Sequence, residues 1–263
     1  MEELYYSNGS YKTPPSRVSL LAKFFPSLTF YLRLISIVFR GSSRAKRGGY
    51  DTEAWRRSSL ESLRALESVG VKMEIEGVDN FASLEGPCVF IGNHMSTLET
   101  FVLPGIIASF KEATFVVKQS LVDYPVFRHI MRSRRPITVG RTNPRDDFKA
   151  VIDGGIEKLS SGASIIIFPQ TTRTSIFDPK EFNTIGIKLA KKAGVPLVPI
   201  ALKTDAWGNG GYLRDFGRID PMKAAHFAFG KPLRIKDRGA EEHDQVINFI
   251  SEKLKEWGGV VKE

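Results

Sequence analysis

An α/β fold with a mixed, largely buried sheet flanked by helices is what this sequence predicts, preceded by an amphipathic helical segment. Three observations carry that prediction. Short apolar runs such as Ile165-Ile166-Ile167-Phe168 have no polar face, as expected of strands covered on both sides. Stretches with leucines at helical spacing lie between them. The 263 residues are 42% hydrophobic and 25% charged, which supports a sizeable core and excludes disorder, collagen and coiled coil. The chain is expected to divide near residue 50, into an amino-terminal basic segment (1–50) and an α/β domain (51–263).

From Leu20 to Phe39, fourteen of twenty residues are apolar, near the ~20 that span a bilayer. Lys23, Pro26 and Arg33 interrupt the run. Thr29, Arg33, Ser36 and Arg40 recur at helical spacing and line one face of a helix starting near Ser27, while Phe30, Leu34 and Ile37 belong to its wide apolar remainder. An apolar face beside a basic stripe, followed by Arg44, Lys46 and Arg47, suits a helix lying in one leaflet of an anionic membrane. Phe30, Arg33, Leu34, Ile37 and Arg40 are the residues expected to meet it. Glu2, Glu3 and the broken apolar core do not fit a cleaved signal peptide. The chain is therefore expected at the cytoplasmic face of the membrane, peripheral or monotopic.

After the joint Arg47-Gly48-Gly49, Leu60, Leu63, Leu66 and Val69 recur at helical spacing and Gly70 stops a helix over 51–70. Val71, Met73 and Ile75 alternate as a strand, and 87–91 is a short apolar one. A helix over 97–110, a strand over 113–118, a helix over 120–132 and a strand over 136–139 follow. Next come a helix over 145–160, the strand 165–168, a helix over 183–193, the strand 196–202, strands around 226–235 and a last helix over 241–257. In such folds chemistry sits where strands run into loops.

The charge is local. Lys and Arg number 38 against 29 Asp and Glu, a net +9. Residues 1–50 hold eight basic residues against Glu2 and Glu3, and residues 128–149 hold seven against Asp146 and Asp147. Two basic places imply two anionic partners, or one partner touched twice. The second cluster would also suit nucleic acid, but only Phe127 and Phe148 stand near it for stacking and the apolar helix would then have no purpose. No nucleic-acid partner is expected. The single Cys88, in Pro-Cys-Val-Phe-Ile, reads as an inert buried thiol, which excludes an intrachain disulfide framework. Trp207-Gly208-Asn209-Gly210-Gly211 is a turn, since Leu213 stands where a dinucleotide fingerprint needs its last glycine.

At the end of strand 87–91 the chain reads Ile91-Gly92-Asn93-His94-Met95-Ser96-Thr97-Leu98-Glu99. On one continuous helix His94 and Glu99 would lie about 140° apart. They meet only if His94 precedes the helix, with Ser96 or Thr97 as N-cap and Glu99 in the first turn. A carboxylate would then hold one ring nitrogen and leave the other as a base for a hydroxyl nucleophile.

Four ordered blocks extend this. Asn93-His94 to Glu99 resembles Asn-His-x4-Asp, and Ile137-Thr138-Val139-Gly140-Arg141 is a strand ending in arginine. Phe168-Pro169-Gln170-Thr171-Thr172-Arg173 resembles Phe-Pro-Glu-Gly-Thr-Arg, and Val198-Pro199-Ile200-Ala201-Leu202 follows. Over about residues 70–235 the chain resembles the glycerophospholipid acyltransferase family, and its amino-terminal segment resembles the membrane-docking helices of bacterial members. The resemblance implies acyl transfer from a thioester, acyl-CoA or acyl carrier protein, to a lysolipid hydroxyl, with no metal or cofactor. His94 would take the acceptor proton and Glu99 would orient the imidazole. Arg141 and Arg173 would bind acceptor phosphate, with Gln170, Thr171 and Thr172 beside them.

The departures bear on the acceptor. Glu for Asp at 99 keeps the charge with one more methylene, so the pair is expected to survive. Gln for Glu at 170 removes a charge, and Thr for Gly at 171 adds a side chain. An active enzyme is expected, with an acceptor that need not be ordinary 1-acylglycerol-3-phosphate. A catalytically silent, lipid-binding relative is the rival reading.

Overall fold

The computed structural model describes residues 3–170, 172–211 and 213–262. The strands in chain order are β1 (Tyr11–Lys12), β2 (Met73–Glu76), β3 (Val89–Gly92), β4 (Ala113–Lys118), β5 (Ile137–Val139), β6 (Ser164–Ile167), β7 (Ile176–Phe177), β8 (Leu197–Lys203), β9 (Ala225–Phe229) and β10 (Val260–Val261). The helices are α1 (Leu20–Phe24), α2 (Pro26–Lys46), α3 (Thr52–Ser68), α4 (Asp79–Ala82), α5 (Leu98–Ile107), α6 (Gln119–Val122), α7 (Phe127–Ser133), α8 (Pro144–Ser160), α9 (Ile185–Ala193) and α10 (Ala240–Glu256).

Eight strands form one mixed sheet in the order β1-β2-β9-β8-β3-β6-β4-β5, and β7 pairs with β10 apart from it. From β8 to β5 neighbouring strands run parallel, whereas β9 is antiparallel to β8. The central strands are covered on both faces. Phe90 and Ile166 join a cluster with α3 and α5, while Val89, Ile91, Ile165 and Ile167 join one with α8, α9 and α10. Successive side chains thus enter opposite cores, so these strands read as unbroken apolar runs. Gly186 lets α9 close on the sheet, because a Cβ there would stand 2.7 Å from Ile91 Cδ1.

The predicted elements lie within a few residues of these bounds, with one break. The helix expected over 120–132 is split into α6 and α7. Pro125 supplies no N–H and disfavours a helical conformation at the residue before it, and Val126 turns the chain at φ 69°. The two-residue strands β1, β7 and β10 are too short to show a period.

The amino-terminal segment is built into the same core. β1 pairs antiparallel with β2, and the Tyr11 hydroxyl donates to Glu67 Oε1 at 2.6 Å. Helix α2 lays Phe30, Leu34, Ile37 and Val38 against the cluster containing Leu63, Leu66 and Phe90. Phe30 meets Trp207 edge-on at 4.8 Å.

This corrects the membrane residues. Phe30, Leu34 and Ile37, expected at a membrane, are 0%, 4% and 7% exposed. The outward apolar residues are Leu28, Leu32, Ile35 and Phe39 on α2, with Leu20, Leu21 and Phe24 on α1. The cause is geometric. A helix apolar over most of its circumference has two apolar sides, and periodicity does not say which one the protein covers. Arg33 and Arg40 are exposed as expected. Among the described residues no helix is long and apolar enough to cross a membrane.

Candidate active site

The parallel run brings the carboxyl ends of β3, β6, β4 and β5 to one edge of the sheet. His94 follows β3, Gln170 to Arg173 follow β6, and Arg141 follows β5. Three strand spacings separate the β3 and β5 ends, about 14 Å.

Asn93 ties the β3 end to β8. Its amide donates to Leu202 O at 2.7 Å and accepts from Leu202 N at 2.8 Å. The chain then leaves the sheet before α5 begins at Leu98, so His94 stands ahead of the helix and Glu99 in its first turn. Thr97 at the N-cap makes no side-chain cap bond; Ser96 Oγ instead accepts from Leu98 N at 3.1 Å.

Glu99 Oε1 lies 2.9 Å from His94 Nδ1 and accepts from Met95 N at 2.7 Å and Ser96 N at 2.8 Å. Its Oε2 accepts from the hydroxyls of Ser96 and Thr204. The carboxyl is fully buried. Burial pushes its pKa up, but the His94 contact, then the Thr204 hydroxyl and the Ser96 amide, outweigh burial and hold it below the ordinary carboxyl value. An ionised Glu99 only accepts, so Nδ1 carries the ring proton and Nε2 presents its lone pair. The imidazole stacks on Phe168 at 4.5 Å, with ring planes 5° apart, and 17% of the side chain stays exposed.

The β6 loop braces this pair. Gln170 is buried, and its side-chain oxygen accepts the His94 N–H at 2.7 Å. An amide oxygen accepts that bond as a carboxylate would, and this corrects the expected place of Gln170 beside the phosphate-binding arginines: its buried side chain holds the His94 backbone instead. Thr174 N donates to His94 O at 3.0 Å. Thr172 is exposed, whereas Thr171 lies outside the described residues.

Arg173 pairs with Asp215 at 2.7 Å and donates to Thr97 Oγ1. Asp215 sits in the loop after β8, whose backbone is held by Trp207 Nε1 on Asp215 O at 3.1 Å. Arg141 takes a left-handed φ of 60°, costly for a non-glycine residue. The Asp147 carboxylate holds that turn by accepting from Gly140 N at 2.8 Å and Arg141 N at 2.9 Å.

Thr204, Asp215 and Asn209, which donates to Met95 O at 3.0 Å, were not among the sequence candidates. Thr204 had a signal, since it directly follows the strand of the fourth motif block. Asp215 and Asn209 lie in a turn-forming stretch that carries none.

The family model described as Acyltransferase matches residues 72–203. A 1-acyl-sn-glycerol-3-phosphate acyltransferase of Pseudomonas aeruginosa is 30% identical over 233 residues, covering 88% of this chain and 84% of that protein. A chloroplast 1-acyl-sn-glycerol-3-phosphate acyltransferase of Brassica napus is 31% identical over 131 residues, 50% of this chain and 37% of its own length. The crystal structure of the 1-acyl-sn-glycerophosphate acyltransferase from Thermotoga maritima shares the fold with a TM-score of 0.65 at 19% identity, covering 90% of this chain and 96% of that one. With the motif blocks assembled at one sheet edge and the match running through all of them, the chain belongs to the glycerophospholipid acyltransferase family and is an acyltransferase.

Proposed function

We propose that this enzyme moves a fatty acyl group from a thioester, acyl-CoA or acyl carrier protein, to the free hydroxyl of 1-acyl-sn-glycerol-3-phosphate or a related lysolipid. The observation that carries the reading is the buried Glu99 on His94 Nδ1 at 2.9 Å, which leaves Nε2 as the base. Nε2 takes the acceptor proton as the hydroxyl oxygen attacks the thioester carbonyl. The tetrahedral adduct then breaks its C–S bond, and the imidazolium returns the proton to the leaving thiolate. Glu99 stabilises the imidazolium between the two steps. Arg173, after β6, and Arg141, after β5 at the same end of the sheet, bind the acceptor phosphate.

The acceptor is a lipid, so the site must work at a membrane surface. The exposed Leu28, Leu32, Ile35 and Phe39, with Leu20, Leu21 and Phe24, support docking through α1 and α2, with Arg33 and Arg40 at headgroup level. We place the enzyme peripherally or monotopically on the cytoplasmic face.

Thiol release with a panel of lysolipids tests the reading. His94→Ala is expected to lower kcat by about 10²–10⁴-fold. Release that ignores this substitution for every acceptor overturns the assignment. Absence of release from the wild type favours the silent lipid-binding reading, for which the Asp215 carboxylate already on Arg173 is the motivating contact.

A further inference from the structure

Away from His94, a cavity of about 500 Å³ opens between α2 and α3. Arg40, Arg44 and Arg47 from the end of α2 line it, with Arg57 from α3, and Glu61 is its one acid. Glu61 binds Arg40, and Arg57 pairs with Glu53 at 2.6 Å. Arg44 gives Nε to Gly49 O at 2.6 Å, which fixes the side chain. Among the described residues no acid pairs with Arg44 or Arg47. Two guanidinium charges therefore line a concave space without a counter-charge. Both complement the dipole at the α2 carboxyl end, which accounts for their sign but not for the cavity.

The volume suits a small ligand, and guanidinium groups favour phosphate, which they bind through a bidentate fork. Position narrows the source of that phosphate. The outward apolar stripe Leu28, Leu32, Ile35 and Phe39 lies on the same helix, about 90–150° around the axis from Arg40, Arg44 and Arg47. The stripe runs toward the carboxyl end of α2, so a lipid lying along it carries its headgroup to the end of the helix that bears Arg44 and Arg47.

We propose that this cavity is a second lipid site, which holds the headgroup phosphate of an anionic phospholipid and is separate from the acceptor site at His94. It rests on the membrane reading above and not on the catalytic one. It gives the enzyme a preference for anionic over zwitterionic membranes through fitted contacts, beyond diffuse attraction.

The test is flotation of the full chain with phosphatidylcholine vesicles, with and without phosphatidylglycerol, in the absence of donor and acceptor. Wild type is expected to prefer the doped vesicles. Arg44→Lys with Arg47→Lys keeps the charge and loses the fork, and is expected to remove about tenfold of that preference. Arg44→Gln with Arg47→Gln should remove it altogether, and both positions are exposed at a helix end, so a thermal melt should be unchanged. Full retention by the lysine pair means that net charge suffices and overturns the proposal. Displacement from doped vesicles by millimolar inorganic phosphate or free CoA assigns the cavity to a soluble phosphate and overturns the lipid assignment. If the glutamine pair loses turnover with acyl carrier protein and keeps its vesicle preference, the cavity serves an acidic protein and the proposal fails. Binding of wild type to neither vesicle sinks the membrane reading and this proposal together. Equal binding to both sinks this proposal alone.

Discussion

Glu99 is buried yet ionised, because five donors converge on two oxygens: the His94 ring, two backbone amides and the hydroxyls of Ser96 and Thr204. Its carboxyl pKa lies below the ordinary 4.5 in the folded protein. The stability this supplies is therefore full above pH 4.5 and is lost as pH falls through the lowered value. Urea unfolding of Glu99→Gln should show a deficit of about 2 kcal/mol at neutral pH. That deficit should fade in acid, and one constant with pH would mean the carboxyl is not ionised. The same variant no longer fixes the tautomer, so kcat should fall by about 10³-fold. Asp215 makes a different prediction. Its carboxylate occupies Arg173, the arginine we propose binds the acceptor phosphate, so Asp215→Asn should lower the acceptor KM by up to about fivefold, the worth of one half-exposed pair, with kcat unchanged. A raised KM would instead make Asp215 a residue that orients Arg173. The pairing of His94 with Glu99 was legible because it depends on six consecutive residues and the start of a helix. The partner of Arg173, Asp215, was not, since it arrives from more than a hundred residues beyond that pair and from a stretch with no motif.

At the scale of the element, α2 has three faces: one on the core, one basic and one apolar and exposed. Phe30 is fully buried against Trp207, so Phe30→Ala should cost about 3–5 kcal/mol in chemical denaturation. Leu32→Glu with Ile35→Glu, on the outward face, should leave the melting temperature within a degree or two and abolish binding to vesicles. The reverse pattern would move the membrane contact to the other side of the helix. The sequence pattern located this helix to within a residue of its start, yet it assigned Phe30, Leu34 and Ile37 to the wrong partner. An apolar arc has the same periodicity whether it meets protein or lipid.

At the scale of the whole molecule, the two basic stretches are not as separate as their positions suggest. Helix α2 packs on α7, with Ser42 Oγ donating to Val126 O at 2.8 Å, and desolvation, then the charges of Lys46, Arg128 and Arg132, lower the pKa of the half-buried His129. The amino-terminal segment is likewise part of the body of the protein. Leu4, Tyr11, Ala22 and Tyr50 share a core with Leu63 and Phe90, and β1 closes an edge of the main sheet. Deleting residues 1–47 should therefore yield a chain without a cooperative thermal transition, rather than a soluble catalytic domain. A truncated protein that melts cooperatively and keeps His94-dependent thiol release would restore the division near residue 50.

Local pattern was enough for the α/β class, the order of the main strands and helices, and the His94–Glu99 pair, because each depends on residues close in the chain whose spacing decides burial and meeting. It was also enough for the family, since four short blocks in order identify it. Three things waited for the fold: the side of α2 that the core takes, the acid that meets Arg173, and the cavity that gathers Arg40, Arg44, Arg47 and Arg57 from two helices. Each depends on segments far apart in sequence packing against one another, and no local spacing encodes which distant surface will fill a given face.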